Sequence, residues 1–203
     1  MSQPSKRPPS PSRKAASEPK GFDLEREILR DHSVAMRQRV QDWVGDHPFR
    51  FADLLNLVLH GKKATAQRAC WPLTKCAEAH PHLAEPHLAE LLENLKRRDL
   101  HGAVVRNTFR IFQFVEIPPE LEERVFSACM AALGGPTEVA VKAFSITVLR
   151  RLVERFPELR AEVVGLITEL LPTQTVAFRA RAKNEFGIGK RPRKGASDDA
   201  WDA

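Results

Sequence analysis

From Phe22 onward the apolar positions fall three and four residues apart rather than two, the spacing that lines one face of an α-helix. Leu24, Ile28 and Leu29 open the pattern. Val34, Met36, Val40, Trp43 and Val44 continue it after Asp31-His32-Ser33, and Gly45-Asp46-His47-Pro48 reads as a turn. Beyond that turn the predicted helices come in pairs. Phe51–Leu59 is followed by Ala64–Ala79 across His60-Gly61, and Pro86–Leu95 by Ala103–Val115. Pro119–Leu133 is followed by Val139–Arg155 across Gly134-Gly135-Pro136-Thr137, and Glu158–Leu171 by Val176–Phe186 across Pro172-Thr173-Gln174-Thr175.

The two members of a pair differ. A first helix is amphipathic, with Leu88, Leu91, Leu92 and Leu95 on one face and Glu90 and Glu93 opposite. A second helix is apolar around more of its circumference, above all from Val139 to Val153. This asymmetry predicts an array in which each second helix is sandwiched between neighbours. No stretch alternates with a period of two, so the expected fold is all-α.

The second helices also share a beginning and an end. Gln67-Arg68-Ala69-Cys70-Trp71-Pro72 leads to a stop at His80-Pro81, Arg106-Asn107-Thr108-Phe109 to Ile117-Pro118, and Lys142-Ala143-Phe144 to Phe156-Pro157. Arg179-Ala180-Arg181-Ala182 begins a fourth copy that runs out at Gly187. The opening basic residues at 68, 106, 142 and 179 are separated by 38, 36 and 37 positions. A period of that size marks a helical-repeat array. Residues 21–49 lack the pattern and read as a helical cap on the end of a stacked core, with the repeats in 50–187.

Charge changes the picture at the ends of the chain. The sequence carries a net +6. Residues 1–20 hold five Lys/Arg against Glu18 (net +4), and residues 187–203 hold four against three Asp (net +1), leaving +1 for 21–186. A fold that grips a phosphate backbone carries its excess on the folded surface, so this sum argues against such a role for the core. Residues 1–20 (Ser, Pro and basic) and 188–203 (basic, then acidic) are too poor in large apolar side chains to order themselves. Weak, tail-mediated contact with nucleic acid is expected of them. Lys190-Arg191-Pro192-Arg193-Lys194 reads either as a nuclear localisation signal or as a plain basic tail. No apolar run approaches a membrane span, and Met1–Pro9 has no hydrophobic segment that would make a secretory signal. Cys70, Cys76 and Cys129 each lie within a predicted helix and read as reduced, packed thiols, which places the chain in the cytoplasm by default.

With these residues in place, the stretch 50–186 resembles the HEAT-repeat superfamily. The resemblance rests on the period, the paired helices, the small residue after the basic one (Ala69, Ala143, Ala180) and the prolines at the turns. More narrowly, Gln67–Pro72, His80-Pro81, Val105-Arg106-Asn107 and Phe178–Lys183 resemble a family of small bacterial HEAT-repeat proteins of unassigned activity. Asn107 departs from the pattern, standing where the other copies have alanine. The resemblance implies a right-handed α-solenoid of about four helix pairs behind the N-terminal cap, acting as a protein-interaction scaffold. The alternative it implies is a nucleic-acid-binding protein, related to HEAT-like glycosylases that excise alkylated bases.

Candidate binding residues follow. Arg68, Arg106, Lys142 and Arg179 recur at one position per repeat and are expected to stack into a row. That row would either meet an acidic partner peptide or a phosphate backbone, or tie each repeat to a neighbouring carboxylate or helix-end carbonyl. Trp71, beside a helix-interior proline, is either an exposed aromatic anchor or a filler of the expected kink. Cys76, His80, His82 and His87 are close in sequence but lack the paired spacing of a zinc site. No nucleophile elbow, phosphate loop or Ser/His/Asp spacing is present, so no enzyme activity, cofactor, small-molecule substrate or metal is expected.

Overall fold

The computed structural model describes residues 21–188. The basic and acidic tails, and the expectations attached to them, lie outside this range. Every regular element among the described residues is helical. In chain order they are α1 (Leu24–Arg30), α2 (Val34–Val44), α3 (Pro48–His60), α4 (Lys63–Ala79), α5 (Pro81–Ala84), α6 (Leu88–Asn94), α7 (Gly102–Ile111), α8 (Pro119–Gly134), α9 (Val139–Arg155), α10 (Arg160–Leu170) and α11 (Val176–Phe186).

Local chemistry sets the boundaries. Asp23 and Ser33 cap α1 and α2 by accepting the Arg26 and Met36 amides at 3.0 Å. Pro48 and Pro119 stand in the first turns of α3 and α8, where a missing N–H costs nothing. Gly45 (φ 51°) turns the chain between α2 and α3, and Gly187 (φ 73°) closes α11 in the left-handed conformation that favours glycine. The first helix of the second pair, expected over Pro86–Leu95, is α-helical only from Leu88 to Asn94 (α6), and it is preceded by a 3₁₀ turn Glu85–His87 and the short α5, which the sequence pattern does not predict. Pro86 sits within that turn, where it offers no amide to carry an α-helix through.

Two layers result. α2, α4, α7, α9 and α11 pack one against the next, and α3, α5–α6, α8 and α10 lie along their other side. α1 is not part of the outer layer; it crosses onto α2 and α4. Side chains between the layers form one continuous core that includes Phe51, Leu73, Leu88, Phe112, Leu133, Ile146, Val163 and Phe178, all almost fully buried. Burial of each such side chain stabilises the fold by about 1.5–3 kcal/mol. This arrangement is an α-solenoid, as the apolar asymmetry of the pairs implies.

Candidate interaction surface

The inner row (α2, α4, α7, α9, α11) carries fourteen Lys/Arg against the four carboxylates Asp42, Glu78, Glu154 and Glu185, a net of +10. The outer row (α3, α5–α6, α8 and α10 with their 3₁₀ turns) carries three arginines against ten carboxylates, a net of −7. A core that sums to about +1 is therefore electrically two-sided. Whole-chain arithmetic hides this, because the opposite signs alternate along the sequence helix by helix.

Part of the asymmetry has a packing cause. The last carbonyls of a helix lack partners and carry partial negative charge. Here arginines one repeat away supply the hydrogen bonds. Arg97 Nη1 donates to Leu59 O of α3 at 2.9 Å. Arg151 on α9 donates to Phe112, Gln113 and Val115 carbonyls after α7 at 2.9–3.1 Å. Arg150 Nε donates to Glu185 O of α11 at 3.0 Å. At the junction with the cap, Arg50 of α3 donates to Trp43 O of α2 at 2.7 Å.

The candidate ladder proves uneven. Arg68 donates to Leu29 O of α1 at 2.7 Å, and Arg106 pairs with Glu138, the residue that precedes α9, at 2.8 Å. Lys142 is 8% exposed, within the apolar surroundings of α9, and Arg179 is exposed on the last helix. Two rungs thus tie neighbouring elements together, one is covered and one is open to solvent. Trp71 is half-buried, with the Arg37 guanidinium 5.3 Å from its ring centre and His32 tilted against it at 5.3 Å. Trp43 is stacked on Phe22 at 4.9 Å with Arg50 over its ring. Both indoles have neighbours on their rings, which leaves neither as a bare platform. α4 runs through Pro72 as a single helix, with Pro72 itself buried.

The histidines and cysteines separate. Asp46 lies 2.7 Å from His82 Nε2 and 3.6 Å from His80 Nδ1 at the surface, His87 stacks on Phe51, and Cys76 is buried. Asn107, the departure from the repeat pattern, joins α4 to α7. Its amide donates to Ala103 O at 2.8 Å and to Cys70 Sγ at 3.3 Å, and Thr74 Oγ1 lies 3.0 Å from its Oδ1.

A sequence profile described as a HEAT repeat domain matches residues 23–184, most of the chain. The chain belongs to the HEAT-repeat family. No curated protein and no solved structure gives a significant match. HEAT repeats commonly mediate protein interaction and are generally non-catalytic. The matched range takes in α1 and α2 as well as the four later pairs. No helix among the described residues is long and apolar enough to cross a membrane.

The three thiols of this HEAT domain are free and buried. Burial pushes each from 9.0 up to about 12. They are expected to resist a thiol reagent at pH 8 until the chain is denatured, and then to react together. Because the folded values are the raised ones, their contribution to stability is complete below pH 9.0 and is lost as pH climbs toward about 12. Denaturant melts across that range test the sign; stability that rises with pH there would contradict it.

Proposed function

We propose that the chain is a non-enzymatic interaction scaffold that holds a protein partner along its inner row of helices. The observation that carries this reading is the opposite charge of the two layers, +10 inside against −7 outside, on a frame fixed by inter-repeat arginines. Complementary fields of this kind orient an encounter and exclude wrong partners. A nucleic-acid reading draws on the same basic row. Against it stand Glu78, Glu154 and Glu185, carboxylates on that row which a phosphate backbone would have to pass.

Cross-linking the full chain in nuclease-treated lysate of its source tests the scaffold, with Arg110→Glu/Arg150→Glu as the comparison. A protein cross-linked to the native chain and lost from the double variant is the expected result. Equal capture by both chains would remove the inner row as the surface, and recovery of nucleic acid alone without nuclease would remove the protein partner.

A further inference from the structure

The cations of the inner row are distributed helix by helix. α4 offers Lys75, α7 Arg106 and Arg110, α9 Arg150 and Arg151, and α11 Arg181, each with a side chain between 26% and 40% exposed. Shared partners tie them into a line. Glu78 Oε2 lies 2.5 Å from Lys75 Nζ and 3.6 Å from Arg110 Nη2, so the cations of α4 and α7 meet over one carboxylate. Arg150 donates to the Glu185 carbonyl, which joins α9 to α11, and the Glu185 carboxylate lies 3.4 Å from Arg181 Nη1 on the same helix. Glu78 and Glu154 are 35% and 58% exposed, and exposed ion pairs of this kind hold weakly and exchange readily, whereas Glu185 is 23% exposed and also accepts from Thr147 Oγ1 at 2.8 Å.

Packed helices stand about 8–10 Å apart, so a cationic rung recurs at that step across the layer. A polypeptide in the extended polyproline II conformation advances about 3.1 Å per residue with three residues per turn, so every third side chain returns to the row at about the spacing of the rungs. A duplex strand instead presents a charge about every 3.4 Å, which sets several phosphates against each rung and others against Glu78, Glu154 and Glu185. The spacing of the face, as well as its sign, therefore selects among anionic partners.

We propose that the inner row binds an extended acidic polypeptide segment in the polyproline II conformation that crosses α4, α7, α9 and α11 with an Asp or Glu at about every third residue. This rests on the scaffold reading and specifies the chemistry of its partner. Carboxylates of the segment replace Glu78 at Lys75 and Arg110, and Glu154 at Arg150. The residues between them lie across the small or polar positions Ala143 and Thr147 on α9.

Fluorescence anisotropy with the full chain provides the test. The probes are a labelled Gly/Ser peptide of about twelve residues with Glu at every third position, a peptide of the same composition with its Glu adjacent, and a short DNA duplex. The spaced peptide is expected to bind about ten-fold tighter than the blocked one. Arg110→Ala with Arg150→Ala should weaken it by about ten-fold, and Glu78→Gln should tighten it, with thermal melts showing each variant folded. Equal affinity for the two peptides overturns the proposal, as does tighter binding of the duplex that is lost in the double variant. If neither peptide binds but cross-linked capture from lysate still depends on Arg110 and Arg150, the acidic segment is overturned and the scaffold stands. If capture is also indifferent to those arginines, both readings fall.

Discussion

Phe112→Ala is expected to destabilise the fold by about 3–5 kcal/mol and to divide its unfolding into two steps. Phe112 is fully buried at the end of α7 and meets Phe109 edge-on at 5.9 Å. It occupies the middle of the array, where α7 is the link between α4 and α9. Removing the ring leaves a cavity that helices fixed by their neighbours can only partly fill. In a repeat array each unit is stabilised chiefly through its interfaces with the units beside it. A weakened central unit should therefore uncouple α1–α6 from α8–α11. Urea titrations followed by circular dichroism and by tryptophan fluorescence separate these events in a Trp201→Phe background, because the two remaining tryptophans, Trp43 and Trp71, both lie on the N-terminal side. The fluorescence and dichroism curves should coincide for the native chain and part for the variant. A single coincident transition, shifted by less than about 1 kcal/mol, would show that the core closes over the lost ring and that the array unfolds as one unit.

How much of this was readable beforehand differs by level. The helix pairs were legible because second helices such as α9 are apolar around most of their circumference and because Gly/Pro turns mark the joints. The start of the second pair's first helix near Pro86 was legible from the proline, whereas the short α5 and the 3₁₀ turn ahead of α6 were not, since Pro81 and Pro86 mark stops without showing that a helical turn fits between them. The ladder was legible as a recurrence but not as a chemistry. One sequence position becomes an inter-helix tie at Arg106, a covered side chain at Lys142 and an exposed one at Arg179, according to what packs beside it. The charge of the two layers is hidden in the sequence for a different reason. It appears only when residues are summed by layer, whereas summing by chain segment returns +1. The arginines that reach helix-end carbonyls carried one usable signal: Arg97 and Arg151 contact residues 36 to 39 positions away, one repeat period.

Among those arginines, Arg151 should matter most. Its guanidinium donates to three carbonyls, Phe112, Gln113 and Val115, at 3.0, 3.1 and 2.9 Å, and approaches Glu116 at 3.5 Å. This planar fork closes the C-terminal turn of α7 from the next repeat's second helix. Arg151→Ala is expected to cost about 1.5–3 kcal/mol, the range for hydrogen bonds from a charged donor. Arg151→Lys should restore less than half of that, because an ammonium cannot reproduce the fork. The substitution should also loosen the register between α7 and α9, which sets the separation of Arg110 from Arg150. Binding of the spaced acidic peptide is then expected to weaken in Arg151→Ala, with the blocked peptide changed less. Thermal melts and anisotropy on the same samples check both expectations. A melting temperature within about a degree of the native value would mean that water satisfies those carbonyls as well as the guanidinium does. Arg151 would then act as one more surface cation, and the spacing of the basic face would have to be held by the apolar contacts of α7 with α9 alone.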